Sequence, residues 1–102
     1  MIIYNTTYQI EASILEDVLY WFKSSLIPKI MDDGTLTNVR LLRVMVNEEE
    51  MGHCYSLQFN VSNEDLLNDW FSRCGSKILS EINLKYQSKV LGFTTLLEVI
   101  DI

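Results

Sequence analysis

The sequence predicts one α+β domain over residues 1–102, with two helices on one face of a four-stranded antiparallel sheet. Three observations lead to this fold class. Four stretches are strand-like, because they alternate apolar and polar residues or are rich in β-branched residues. Two longer stretches place apolar residues three and four apart, as amphipathic helices do. The stretches follow one another in the order β-α-β-β-α-β.

The first strand and the first helix have clear local signals. Apolar residues alternate with polar ones over residues 2–10, which predicts a strand with unlike faces. Ser13 and Glu16 have the spacing of a capping box and predict the start of a helix. Pro28 is expected to kink or interrupt that helix near Leu26, because proline lacks the amide hydrogen that the helix needs.

The middle of the chain predicts a hairpin. Residues 36–46 are apolar on both sides of a strand, which then needs cover on both sides. Residues 53–61 are predicted to form the next strand, because apolar and polar side chains alternate over residues 55–61. The polar residues 47–52 between them end in glycine and predict the connecting turn.

A second helix follows the hairpin, and Ser62 or Asn63 is expected to cap its first turn. Gly75 inside this helix indicates a close approach of the helix to the sheet, since glycine destabilises a helix interior. The predicted buried stripe consists of Leu67, Trp70, Phe71, Cys74, Ile78 and Ile82.

The last strand is predicted over residues 88–100. The side chains expected to face the helices are Leu91, Phe93, Leu97 and Val99. Those expected on the opposite face are Val90, Gly92, Thr94, Leu96, Glu98 and Ile100. The complete order matches the ferredoxin-like plan, in which the strands lie in the spatial order 4-1-3-2 and two helices cover only one face.

Composition and charge limit the classes of partner. The formal net charge is −6 and the eight basic residues are spread along the chain, so the clustered cations that nucleic acids attract are missing. No apolar run approaches the about 18 residues of a membrane-spanning helix, and the first residues lack the pattern of a signal peptide. Two cysteines outside a CxxC motif and a single histidine predict a reducing compartment and no metal site. We therefore expect a cytoplasmic protein without a tightly bound cofactor.

The sheet face opposite the helices is predicted to be polar at its centre. The first and third strands lie side by side in this plan, and their side chains on that face are mostly amides and hydroxyls. We expect this patch to bind a small polar or anionic molecule, or else to hold ordered water. The candidate ligand-binding residues are Asn5, Thr7, Arg40, Ser56, Gln58 and Asn60.

The margins of the same face are predicted to be apolar, which disfavours simple solvation. They suit a homodimer in which two sheets pack face to face, with Arg40 or Arg43 reaching Glu98 across the seam. A monomer with a solvated sheet face is the alternative. The candidate interface residues are Leu42, Arg43, Leu96 and Glu98.

His53 and Cys54 are residue types that often carry chemistry, but the sequence identifies no acid beside His53 and only Arg40 as a candidate cation near Cys54. A general base needs an orienting acid, and a reactive thiol needs a neighbouring cation. We therefore predict a structural or surface role for His53, an inert Cys54 and no catalytic residue.

Four segments resemble, in order and spacing, a family of short bacterial proteins of unknown function: MIIYNTTYQIE, IPKIMDDG, RLLRV and FTTLLEVID. That family is similar in plan to the dimeric α/β-barrel superfamily, so the resemblance implies the ferredoxin-like fold and a homodimer. The superfamily includes cofactor-free monooxygenases, haem-degrading enzymes and small-molecule sensors, and none of these activities follows from the fold alone. Relatives often have a histidine where this chain has Leu26, so any role of that histidine is missing here.

The predicted function is the binding of a small molecule by a homodimer, in a polar cavity between its two sheets. An interaction or regulatory module, whose sheet face only forms the dimer, is the first alternative. A cofactor-free oxygenase, which would depend on substrate positioning in a dry cavity, is the second alternative.

Overall fold

The chain forms a four-stranded antiparallel sheet with the strand order β2-β3-β1-β4. The structure is a computed structural model that describes residues 1–102, apart from the side chain of Met51. The strands are β1 Ile2–Ile10, β2 Thr37–Arg43, β3 His53–Val61 and β4 Val90–Glu98. The predicted ferredoxin-like α+β fold and its strand order are confirmed.

Two long helices and one short helix connect the strands. The first long helix (residues 15–31) consists of α1 Leu15–Trp21, a π-turn Phe22–Leu26 and α2 Ile27–Met31. The short helix α3 Glu48–Met51 lies in the β2–β3 hairpin. The second long helix (residues 64–86) consists of α4 Glu64–Trp70, a π-turn Phe71–Gly75 and α5 Ser76–Tyr86. None of the described helices has the length and apolar character needed to cross a membrane.

The π-turn of the first long helix keeps its apolar row facing the sheet. Val18, Phe22, Leu26 and Ile30 are all buried, and they are spaced four residues apart. An α-helix has about 3.6 residues per turn, so in a regular helix this row would rotate by about 40° at every turn. The π-turn, closed by the bond from the Ile27 amide to the Phe22 carbonyl, takes up the extra residue. The row therefore stays on the core along the whole helix.

The helix ends follow the predicted signals only in part. The first π-turn ends at Leu26, two residues before Pro28, where the sequence predicts a kink or interruption. The predicted capping box is wrong, because Ser13 lies in a 3-10 turn and its hydroxyl donates to Glu11 Oε1 at 2.9 Å. The predicted cap of the second long helix is confirmed, since Asn63 Oδ1 accepts from the Leu66 amide at 2.9 Å.

The core lies between the long helices and the even-numbered side chains of β1. Tyr4 and Tyr8 are buried there, and their rings lie edge-on to Phe71 and Phe22, with centroid distances of 5.5 Å and 5.1 Å. Trp70 is fully buried beside them. These aromatic contacts fix the helices over β1 and β3, which leaves β4 largely uncovered.

Strand β4 faces the opposite way from the prediction. Its register with β1 places Phe93 opposite Thr7 and Gly92 opposite Tyr8. Because a one-residue shift exchanges the two faces of a strand, this register decides the orientation of every β4 side chain. The side chains on the face away from the helices (the open face) are Leu91, Phe93, Thr95 and Leu97, and those on the helix side are Val90, Gly92, Thr94, Leu96 and Glu98.

Gly75 is explained by a contact within its own helix rather than by the predicted approach to the sheet. A Cβ atom at this position would lie 2.4 Å from the Trp70 ring. No real Cβ contact is so short, so an alanine here requires Trp70 to move. Trp70 is fully buried, and little space is available for that movement.

Replacing Gly75 with alanine is expected to lower the free energy of unfolding by about 1–3 kcal/mol, because the added methyl group overlaps Trp70. At an unconstrained helical position the same change raises stability by about 1 kcal/mol, so the sign of the effect is diagnostic. Urea unfolding followed by circular dichroism measures it. Ser76→Ala, at the exposed neighbouring position, is the matched control. Unchanged stability in Gly75→Ala would show that the indole moves aside freely.

Candidate functional site

The centre of the open face is polar, as predicted. Asn5 lies opposite Gln58, and Thr7 lies opposite Ser56, in the β1–β3 register. Gln58 Nε2 donates to Asn5 Oδ1 at 3.2 Å, and the hydroxyl oxygens of Thr7 and Ser56 are 3.1 Å apart. These half-buried side chains pair across the strands, and each amide keeps further hydrogen-bonding groups. Their contact with a ligand stays a prediction.

Asn60 and Arg40 extend the polar face toward β2. Asn60 lies opposite Ile3 on one side and Thr37 on the other, and Arg40 lies opposite Gln58. Arg40 is exposed and has no ion pair or side-chain hydrogen bond with the residues that the structure describes. The six predicted ligand-binding residues therefore share one face, and a cation at its edge is available to an anion.

The four predicted interface residues do not share a face. Leu42 lies opposite Ser56 on the open face and is exposed. Arg43 lies on the helix side, where its Nη1 is 3.6 Å from Glu48 Oε1 of the same chain. Leu96 and Glu98 also lie on the helix side, so their predicted placement on the open face is wrong. The physical reason is the β1–β4 register, which the apolar residues on both sides of β4 do not reveal.

The β4 margin of the open face is apolar, as predicted, but it is formed by other residues than the predicted ones. Leu91, Phe93 and Leu97 are exposed there, and 65% of the Phe93 surface is accessible. One available signal was the pair of small residues Gly92 and Thr94. A Cβ at Gly92 would lie 2.8 Å from Tyr8 Cε1, so this side of β4 must face the crowded aromatic layer.

A cleft of about 360 Å³ opens on the helix side, between β1, β4 and α5 (the helix-side cleft). Leu79, Ile82 and Val90 supply apolar contacts, and four side-chain hydroxyl groups lie among the strand residues. None of its lining residues is charged. The lining consists of Tyr4, Thr6, Tyr8, Leu79, Ile82, Asn83, Val90, Leu91, Gly92 and Thr94.

The hydroxyl groups of the cleft form a connected group. Thr6 Oγ1 and Thr94 Oγ1 are 3.0 Å apart. Burial raises the pKa of Tyr4 above the ordinary value of 10.0, although hydrogen bonds with Thr6 and Thr94 act in the opposite direction. Burial also raises the pKa of Tyr8, and the nearby Tyr4 adds to this effect. Both phenols are therefore protonated at neutral pH and can donate a hydrogen bond to a ligand.

His53 has an orienting acid that the sequence did not reveal. Its Nδ1 is 3.3 Å from Glu48 Oε2, and both residues line a cavity of about 300 Å³ that Lys89 also borders. Glu48 is held there by α3, which Asn47 caps by accepting from the Glu49 amide at 3.0 Å. Among the described residues, no group of three or more His, Cys, Asp or Glu side chains is arranged to hold a metal ion.

Residues 1–100 match the family described as Domain of unknown function (DUF4286). This chain is a member of the DUF4286 family. The match spans all four strands and both long helices of this DUF4286 protein. No curated protein matches its sequence.

Solved structures share the fold of this DUF4286 protein at low sequence identity. An antibiotic biosynthesis monooxygenase aligns with a TM-score of 0.66 and 15% identity, over 99% of this chain and 100% of that one. An ethyl tert-butyl ether d (ethd) family protein from Bacillus halodurans aligns with a TM-score of 0.73 and 11% identity, over 98% and 100%. A MhuD mutant with two manganese protoporphyrin IX molecules bound per active site aligns with a TM-score of 0.67 and 11% identity, over 100% of this chain and 98% of that one. Likeness at these identities establishes the fold alone.

Because Tyr4 and Tyr8 are buried, we expect the free energy of unfolding to decrease at alkaline pH. Burial raises the folded-state pKa of Tyr4 and Tyr8 above 10.0, so above about pH 10 the unfolded chain loses protons that the folded chain keeps. The urea midpoint should therefore decrease as pH rises beyond that value. Tyr8→Phe should make the decrease less steep, because one of the two buried phenols is gone. An identical pH dependence in wild type and Tyr8→Phe would contradict this account.

Proposed function

We propose that this DUF4286 protein is a homodimer that binds an uncharged small molecule in the helix-side cleft. The observation that carries the proposal is the composition of that cleft. Its volume of about 360 Å³ lies in the range of about 300–1,000 Å³ typical of small-molecule sites. Apolar walls and protonated hydroxyl groups suit a ligand with a flat apolar body and one hydrogen-bonding group. An uncharged lining disfavours an anion, because nothing would replace the water lost from its charge.

The exposure of β4 supports the dimer. Apart from Val90, every side chain of this edge strand is exposed, although several are large and apolar. Leu91, Phe93 and Leu97 form a row on the open face, with Leu42 exposed at its far margin. A second copy packed on this face would remove the apolar row from water and shield the strand edge. The central amides and hydroxyls already pair with one another, which lowers the cost of burying them, and the remaining amide donors and acceptors would bond to the second copy or to bound water.

A polar cavity between the two sheets is the second candidate site. The observation that favours it is Arg40, an exposed cation beside half-buried Gln58 with no ion-pair partner among the described residues. In a face-to-face dimer, a small anion bound near Arg40 would also contact the amide groups at the centre. Such a ligand differs in charge from the one that suits the helix-side cleft.

Phe93→Asp is expected to convert the dimer into a monomer, because it places a charge in the apolar row on the open face. Sedimentation velocity distinguishes the two states. Leu84→Asp is the matched control, since Leu84 is also exposed but lies on α5, away from the sheet. A Phe93→Asp protein that sediments like wild type would exclude the open face as the interface.

The uncharged bicyclic phenol 2-naphthol serves as a probe of the helix-side cleft. Its binding should shift the amide signals of residues 92 and 94, and Thr94→Val should weaken binding about twofold to tenfold through the lost hydroxyl. Gln58→Leu on the open face is the control and should leave the affinity unchanged. Loss of binding in Gln58→Leu but not in Thr94→Val would move the site to the open face. Absence of any shift would contradict the cleft as a binding site for this class of ligand.

A further inference from the structure

A separate cavity of about 400 Å³ lies on the helices, and it shares no lining residue with the helix-side cleft. Three of its five lining residues are aromatic, and the other two carry opposite charges. Three of them lie on α1, and the other two are the last residues of α5. The lining consists of Asp17, Tyr20, Trp21, Lys85 and Tyr86.

The aromatic rings of this cavity are arranged at a steep angle to each other. The Trp21 and Tyr86 centroids are 5.8 Å apart, with an angle of 78° between the ring planes. The Lys85 ammonium lies 5.8 Å from the Trp21 centroid and 5.7 Å from the Tyr86 centroid. A cation at this distance from two ring faces is attracted by both. The chain thus places one of its own cations between these rings.

A carboxylate adds to the attraction for positive charge. Asp17 lines the cavity, and it contributes, after burial, to raising the pKa of Tyr86. Tyr20 adds a third aromatic side chain, which is mostly exposed and does not belong to the core. Two or three aromatic rings with one carboxylate form the kind of cage that selects methylated ammonium groups.

We propose that Asp17, Tyr20, Trp21 and Tyr86 form a binding cage for a methylated ammonium group, and that Lys85 occupies this cage until such a ligand displaces it. A primary ammonium group is strongly hydrated, so Lys85 leaves its position at modest cost. A methylated ammonium group is larger and less hydrated, and its methyl groups contact the ring faces directly. The net charge of −6 favours the approach of any such cation.

Tetramethylammonium chloride is the probe, and the indole N–H signals of the two tryptophans in a two-dimensional NMR spectrum are the readout. The Trp21 signal should shift and saturate during the titration. The Trp70 signal should stay in place, because Trp70 is fully buried and does not line this cavity. Sodium chloride at the same concentration controls for ionic strength. An equal Trp21 shift with both salts would overturn the proposal.

Three surface variants test the cage and the role of Lys85 without disturbing the core. Lys85→Gln should bind tetramethylammonium about threefold to tenfold more tightly, because the competing cation is gone. Lys77→Gln removes the same charge from an exposed position on α5 and should keep wild-type affinity. Asp17→Asn should weaken binding. Equal affinities in Lys85→Gln and Lys77→Gln would overturn the proposal.

The same methylated ammonium chemistry occurs in free metabolites and in modified lysines of proteins. Choline and a short trimethyllysine peptide, titrated in the same way, distinguish them. Comparable affinities for both assign the free cation, because the peptide then adds no contact of its own. Clearly tighter binding of the peptide assigns a protein ligand. Failure of all three cations to shift Trp21 would overturn the cage while leaving the proposed function of the helix-side cleft untouched.

Discussion

The pairing of β1 on both of its edges is the constraint on which the rest of the structure depends. All nine residues of β1 are in register with β3 on one side and with β4 on the other. Side chains alternate strictly along a strand, so the orientation of β1 determines which side chains of β3 and β4 face the helices. The orientation of β1 is determined by Tyr4 and Tyr8, because their rings are buried against the aromatic side chains of the two long helices. Asn5 and Thr7 are then placed on the open face together with their partners on β3.

The same constraint produces two surfaces of different chemistry. On the helix side, small β4 residues lie beside the buried phenols and leave the uncharged helix-side cleft between the sheet and α5. On the open face, paired amides and hydroxyls at the centre meet the apolar row of β4. A fold shared with proteins as different as a monooxygenase and a haem-analogue complex is compatible with either surface having a function. The function of this DUF4286 protein therefore depends on the side chains that the strand register exposes on each surface. The fold alone does not determine those side chains.

Local signals in the sequence were sufficient wherever one face of an element differs clearly from the other. The alternation along β1 and β3 predicts their faces, and Asn63, one of the two predicted caps, is the cap that the structure contains. Strand β4 lacks such a contrast, because Leu96 on one side is as apolar as Leu97 on the other. Its orientation follows from pairing with β1, which lies at the other end of the sequence, so no short stretch of the sequence reveals it. The Glu48 contact of His53 and the aromatic cavity around Trp21 are likewise formed by residues from separate elements.

The π-turns have a consequence for how this chain is compared with other proteins of the same fold. Each long helix contains one residue more than a regular α-helix of equal length would hold, inserted at Phe22–Leu26 in the first and Phe71–Gly75 in the second. An alignment with a relative that has a regular helix needs a one-residue gap at these turns. Without the gap, every position beyond the turn is matched to a residue about 100° away around the helix, so buried positions are paired with exposed ones. Homology between such proteins is then underestimated over half of each helix, even where their cores superimpose.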